Sequence, residues 1–173
     1  WWLHHSLERL AESLRARGAA LHVRRGPTLQ ALLAVARETG ATQVFWNRLY
    51  EPAIAARDAR VAAGLDEAGL LAESFNAALL VEPWEMRTAQ GGPYRVFTPF
   101  WRSCSASVAS QPRPQPAPSR IAGAVVTAPG LAPGELELLP RVRRDAGLAA
   151  AWTPGAQGAP DRPAERHGQG SHH

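Results

Sequence analysis

The chain has 173 residues and a mass of 18.6 kDa, and its composition excludes several classes of protein. No apolar run approaches the roughly 18 residues of a membrane span, so we expect no transmembrane segment. The one cysteine, Cys104, cannot form an internal disulfide, which argues against a small secreted scaffold and favours a reducing, cytoplasmic setting. All 19 basic residues are arginine, and a net charge of +4 without a dense basic cluster does not indicate a nucleic-acid-binding surface.

The first forty residues alternate between helix and strand patterns. Leucines recur at spacings of four and three from Leu3 to Leu14 and predict an amphipathic helix, which Gly18 ends. Residues 20–24 alternate weakly and predict a short strand. A second helix is predicted over 27–40, because proline suits a first helical position and an apolar stripe follows it.

The same alternation continues to residue 75. Residues 43–47 are β-branched and aromatic and predict a buried strand. Pro52 opens a third helix that closes near Gly69, and residues 70–75 predict a third strand. Helices and strands that alternate with short connections indicate a parallel sheet, so the predicted fold class is α/β.

The remaining chain is rich in turn-forming residues. Residues 94–101 are aromatic and predict a short helix or packed corner. Ten of the 15 prolines lie from Pro112 onward, so we expect a globular part at 1–104, an extended linker, and a disordered tail at 158–173. The chain begins at Trp1 and its only methionine is Met86, which suggests a fragment of a longer protein.

The segment after the second predicted strand is the best candidate for a ligand site. It carries Asn47, Arg48, Tyr50 and Glu51 immediately before a helix. Open α/β sheets bind ligands beyond the carboxyl ends of their strands, and a helix N-terminus favours anions. The alternative is an ordinary strand-to-helix turn in which Glu51 complements the helix dipole.

Other chemistry receives little support. The pairs His4-His5 and His172-His173 are potential metal ligands, but we see no carboxylate or cysteine at helical spacing and expect surface histidines and no metal site. Neither a G-x-G-x-x-G sequence nor a P-loop is present. We therefore predict no catalytic residues in this chain.

Four segments together resemble the DNA photolyase/cryptochrome family, in particular the N-terminal antenna domain of bacterial class I photolyases. A weaker similarity to the connection into the family's flavin domain covers 136–157, which leaves 105–135 as the linker. The four segments are Trp2-Leu3-His4-His5-Ser6-Leu7, Trp46-Asn47-Arg48-Leu49-Tyr50-Glu51-Pro52, Glu82-Pro83-Trp84 and Tyr94-Arg95-Val96-Phe97-Thr98-Pro99-Phe100-Trp101.

The resemblance implies light-driven repair of UV-induced pyrimidine dimers by a reduced FAD, with the damaged base flipped out of the duplex. It also implies that the FAD domain and the first two strands of the sheet lie outside this chain. The resemblance therefore predicts a monomeric antenna domain that is inactive alone and marginally stable. Its partner is UV-damaged DNA, through the FAD domain.

The resemblance also places an antenna pigment near the strand ends, at Asn47, Arg48, Tyr50 and Glu51. Folate-binding members tend to have an Asn-Glu pair in the following helix, where this chain has Ala53-Ile54. A deazaflavin, or no antenna pigment at all, is therefore favoured over a folate.

Two alternatives to a photolyase fragment stay open. A fragment of a cryptochrome-type blue-light receptor has the same motifs, because the residues that separate repair from signalling lie in the FAD domain. A stand-alone α/β module that binds a small ligand is the other, although it requires a complete sheet.

Overall fold

The computed structural model describes residues 1–111, 115–126, 130–140, 142 and 144–158. The chain divides into two compact units: Trp1–Ala31 with the chain from Pro118 onward, and Leu32–Ala117. Within the described residues, no helix combines the length and the apolar character that crossing a membrane requires. The elements are α1 (Trp2–Ala16), α2 (Thr28–Thr39), β1 (Gln43–Asn47), α3 (Pro52–Glu67), β2 (Leu71–Phe75), α4 (Phe97–Ala109), α5 (Ala146–Ala151) and two short 3₁₀ helices (Pro133–Leu136 and Ala156–Gly158).

The first unit is built on α1, which ends as predicted at Gly18. This glycine has a φ of +89°, and a Cβ atom there would lie 2.9 Å from the carbonyl oxygen of Ile121. The close approach reflects backbone pairing, because the amide of Ile121 donates to the carbonyl of Arg17 (2.6 Å) and that of Gly123 donates to Gly18 (3.2 Å). Glycine is needed here both for the left-handed turn and for the nearby chain.

The strand predicted at 20–24 is wrong. In the part of the chain that the structure describes, Val23 alone of this segment pairs, in an isolated antiparallel bridge to Leu131, and the segment adds no strand to the parallel sheet. A weak alternation over five residues does not hold a ladder unless a neighbouring strand pairs along its length. Its partner comes from the predicted linker, whose described residues here make backbone hydrogen bonds to 17–23.

The second unit contains the parallel sheet, and the α/β fold class is confirmed. In the described chain the sheet has two strands, β1 and β2, in a register that pairs Gln43 with Leu71 and Asn47 with Phe75. α3 connects them and packs on β2. Its buried side chains, Val61 and Leu65, are four residues apart and therefore lie on one face.

Two further expectations for this unit are corrected. β1 is not a buried strand: its side chains alternate between exposed and half-buried, and Phe45 is 53% exposed. Among the described residues the strand pairs with β2 alone, and the exposure of its alternate side chains shows that its faces are incompletely covered. α4 continues to Ala109, so Ser105 to Ala109, which were expected to belong to the linker, are helical.

Candidate functional site

The carboxyl ends of β1 and β2 lie at the same edge of the sheet because the two strands are parallel. Arg48 follows β1 directly, and its backbone amide donates to the carbonyl of Phe75 at 2.8 Å, which extends the ladder by one residue. The extension holds the Arg48 backbone against the end of β2. Its side chain is therefore positioned by two strands and not by a free loop.

Every nitrogen of the Arg48 guanidinium group has a partner. Nε donates to Ser74 Oγ at 3.1 Å, and Nη2 donates to the carbonyl oxygen of Ser74 at 2.7 Å. Nη1 forms an ion pair with the carboxylate of Glu82. Guanidinium geometry favours such a fork of several acceptors, so this arginine ties the end of β2 to the loop that follows it.

Glu82 is the buried centre of this arrangement. The residue is only 5% exposed, and one carboxylate oxygen pairs with Arg48 while the other accepts from the Tyr50 hydroxyl at 2.7 Å. Its backbone amide donates to the carboxylate of Glu85 at 3.2 Å, which fixes the local turn. Both oxygens of the buried carboxylate therefore have partners, as burial of a charge requires.

The contact also changes the acidity of the phenol. Burial raises the pKa of Tyr50 above its ordinary value because it disfavours the phenolate, and the neighbouring Glu82 carboxylate raises it further. The positive charge of Arg48 opposes this shift. Tyr50 is therefore held as a neutral hydrogen-bond donor and is not suited to act as a base.

An aromatic surface adjoins the ion pair. The Arg48 Cζ atom lies over the Trp84 ring, 5.2 Å from its centroid, and the Tyr50 and Trp84 rings are 6.1 Å apart. Trp84 remains 49% exposed. The guanidinium and the two tilted rings, which meet at 38°, form a partly exposed surface on which a conjugated ligand could pack.

The four predicted site residues divide into two pairs. Arg48 and Tyr50 meet at Glu82, whereas the side chains of Asn47 and Glu51 are exposed and make no hydrogen bond to another described residue. Glu51 precedes α3 as its N-cap residue but forms no side-chain cap. The first pair is occupied by the protein's own groups, and the second pair is available to a ligand.

Sequence reasoning missed the role of Glu82, Ser74 and Trp84. A carboxylate in the loop after β2 pairs with an arginine 34 residues earlier, and no short spacing pattern shows such a contact. In the sequence, Glu82-Pro83-Trp84 stands out only through the family resemblance. Its position shortly after β2 is the feature that could have indicated a side chain near the carboxyl edge of the sheet.

The reasoning about metal ligands was wrong for α1. Glu8 lies four residues after His4 and three after His5, which is helical spacing, and its carboxylate contacts both imidazoles, at 3.3 Å and 2.9 Å. The three side chains can offer ligand atoms that all lie within 4.8 Å of one another. The predicted pair His172-His173 lies outside the described residues.

The second unit is thus an α/β domain of the kind that can bind a ligand at the carboxyl edge of a parallel sheet. Residues 1–119 match the DNA photolyase family, and the chain belongs to that family. The family generally binds FAD and an antenna pigment and acts on UV-damaged DNA.

Individual relatives agree with the family match. The chain is 39% identical to a deoxyribodipyrimidine photo-lyase of Agrobacterium fabrum over 94% of this chain and 34% of that protein. It is 37% identical to cryptochrome-1 of Arabidopsis thaliana, over 90% of this chain and 23% of the relative. The chain spans about a third or less of the length of these relatives.

A solved structure bears on the photolyase subtype that this chain resembles. The bacterial class III photolyase from Agrobacterium tumefaciens superposes with a TM-score of 0.81 and 37% identity, covering 93% of this chain and 33% of that one. The similarity to this enzyme and to a plant cryptochrome does not support the class I subtype that the sequence motifs suggested.

Proposed function

We propose that this chain is the antenna-domain part of a light-driven DNA photolyase that repairs cyclobutane pyrimidine dimers, and that it resembles class III more than class I enzymes. The observation that carries the proposal is the 39% identity to a deoxyribodipyrimidine photo-lyase, which extends over 94% of the chain. The reaction of the whole protein, with reduced FAD as electron donor and damaged DNA as substrate, then uses residues outside the third of the relative's length that this chain matches.

We further propose how the site would hold an antenna pigment. Arg48 and Tyr50 form the frame with Glu82, because their polar atoms are already bonded within the protein. Asn47 and Glu51 supply the polar contacts to the pigment, since both side chains are exposed beside the frame. Such a division is typical of binding sites in which a rigid support positions a few free polar groups.

The class of pigment follows from the start of α3. The absence of an Asn-Glu pair at Ala53-Ile54 favours a deazaflavin over a folate. Ala53 is an exposed methyl group and offers no hydrogen bond at this position. Folate binding remains the other outcome of the test.

Pigment binding is tested by fluorescence titration of the chain with a deazaflavin and with a reduced folate. Asn47→Ala is expected to weaken deazaflavin binding about tenfold, the loss of roughly one hydrogen bond to a ligand. Gln43→Ala is the matched control, because Gln43 is an exposed amide at the opposite end of β1. Equal effects of the two substitutions would contradict the assigned site, and tighter folate binding would contradict the assigned pigment.

Repair is tested separately. The purified chain with reduced FAD and light is expected to leave dimers in UV-irradiated DNA unrepaired, whereas disruption of the gene is expected to abolish light-dependent survival after UV exposure. Dimer reversal by the chain alone would overturn the antenna assignment. Unchanged survival would favour the second candidate, a cryptochrome-type light receptor, which the 37% identity to cryptochrome-1 supports.

A monomeric, cytoplasmic protein completes the proposal. Cys104 is buried in α4 and has no second cysteine in the chain to pair with, which supports a reducing compartment. Size-exclusion chromatography with light scattering tests the monomer. A stable dimer at micromolar concentration would contradict it.

A further inference from the structure

Three potential metal ligands meet on one face of α1, in the first unit. His4 Nε2 lies 3.3 Å from one carboxylate oxygen of Glu8, and His5 Nδ1 lies 2.9 Å from the other. Residues three and four apart are neighbours on a helix surface, so Glu8 is reached by both imidazoles. The helix itself holds the three side chains together without help from a distant segment.

The distances suit a small tetrahedral cation. Zinc binds histidine nitrogen at about 2.0–2.1 Å and carboxylate oxygen at about 2.0–2.2 Å, so neighbouring ligand atoms are about 3.3 Å apart in a tetrahedral site. The two observed contacts, at 3.3 Å and 2.9 Å, lie at and somewhat below this separation, and all three ligand atoms lie within 4.8 Å of one another. Small rotations of the side chains would bring them to one ion.

We propose that His4, His5 and Glu8 form a zinc-binding site with three protein ligands and an open fourth position. Two imidazoles and one carboxylate suit zinc better than calcium or magnesium, which prefer oxygen ligands. The bound ion would link three side chains of the first two turns of α1 and so stabilise the start of this helix. The proposal is independent of the pigment and of DNA repair.

The environment of His4 adds a second observation. The residue is 7% exposed, and its Nδ1 atom is buried without a hydrogen-bond partner among the described residues. Zinc bound at Nε2 would leave the proton on Nδ1 and would not give that atom a partner, so the buried Nδ1 does not itself indicate a metal. The burial of His4 instead restricts the ring orientations that keep Nε2 beside Glu8.

The site is also accessible. His5 and Glu8 line an open cavity of about 650 Å³ together with Trp1, Arg9 and other residues of the first unit. The Trp1 ring packs edge-on against His5, with centroids 4.8 Å apart, and restricts the rotation of that imidazole. The cavity gives an ion and its water ligand a path to the half-buried His5 and the exposed Glu8.

The neighbouring Arg9 side chain does not block the site. Arg9 Nη1 pairs with the carboxylate of Glu12 at 3.3 Å, so its charge is partly balanced within the helix. Glu12 is therefore a matched control for Glu8: both are glutamates of α1 that line the same cavity, but only Glu8 contacts the imidazoles.

Zinc binding is measured by isothermal titration calorimetry with zinc chloride. The titration uses a parent variant with the substitutions His167→Asn, His172→Asn and His173→Asn, because these three histidines would add their own zinc affinity. We expect one zinc ion per chain, at least about a tenfold weaker Kd in Glu8→Gln, and an unchanged Kd in Glu12→Gln. Far-UV circular dichroism confirms that each variant retains its helices.

Cobalt supplies a second readout of the same site. Tetrahedral Co²⁺ gives intense visible absorption that octahedral or loosely bound Co²⁺ lacks, and this band is expected in the parent and absent in His5→Asn. A rise in melting temperature with zinc that is lost in Glu8→Gln agrees with the proposal. Identical Kd values for Glu8→Gln and Glu12→Gln, or no zinc binding by the folded parent, would overturn it.

Discussion

Removal of the buried carboxylate at position 82 is the sharpest test of how the candidate site is held together. Glu82→Ala deletes the ion pair to Arg48 and leaves the Tyr50 hydroxyl without its acceptor. Breaking a buried ion pair costs about 3–5 kcal/mol in general. The loss is smaller here because the Arg48 side chain is 32% exposed and keeps both contacts to Ser74.

The expected loss is therefore about 2–3 kcal/mol of unfolding free energy, or roughly a hundredfold in the folding equilibrium. Urea unfolding followed by circular dichroism measures it. Glu67→Ala is the control, because Glu67 is an exposed glutamate of the same unit and its removal is expected to change stability by less than about 0.5 kcal/mol.

Glu82→Gln separates charge from hydrogen bonding. The glutamine oxygen still accepts from Tyr50, but the charge opposite Arg48 is gone, so an intermediate loss is expected. A double-mutant cycle of Glu82→Ala with Tyr50→Phe is expected to show coupling between the two positions, because each substitution removes one partner of the hydrogen bond. If Glu82→Ala and Glu67→Ala destabilise the protein equally, the buried ion pair does not support this edge of the sheet.

Two further predictions concern the second unit. Leu65→Ala is expected to lower the unfolding free energy by about 3 kcal/mol, because Leu65 is fully buried and is one of four buried apolar residues among those described. Leu80 is 64% exposed, so the control Leu80→Ala is expected to cost less than about 1 kcal/mol. Equal urea midpoints for the two variants would refute this prediction. Burial and Glu82 raise the pKa of Tyr50 above its ordinary value of 10.0. The stability that the Tyr50 phenol contributes is therefore complete below the pKa of tyrosine in the unfolded chain, and it is lost as pH rises through the higher pKa of the folded state. Unfolding free energy measured at increasing pH above about 9 is therefore expected to fall more steeply in the native protein than in Tyr50→Phe, and parallel curves would contradict the shift.

Local patterns determined much of the secondary structure. The leucine stripe and Gly18 predicted α1 to within about two residues, and the composition of 43–47 and 70–75 predicted β1 and β2. These elements depend on side-chain periodicity and on helix-ending residues, which a reader of the sequence sees directly. The parallel pairing followed from the helix between the two strands.

Long-range contacts decided the rest. The segment at 20–24 became a single bridge because its pairing depends on a partner more than a hundred residues away, at Leu131. α4 also includes Ser105 to Ala109, where small polar residues had suggested a linker, because helix propensity is a weak prior that tertiary context overrides.

The candidate site shows the same division. Local sequence patterns were enough to place Asn47, Arg48, Tyr50 and Glu51 between the end of a strand and the start of a helix, which is where α/β proteins bind ligands. The pairing of Arg48 and Tyr50 with Glu82 depends on the folded chain, because α3 and β2 must form before that carboxylate returns to the same edge. A partner that is near in space and distant along the chain leaves no periodic signal in the sequence.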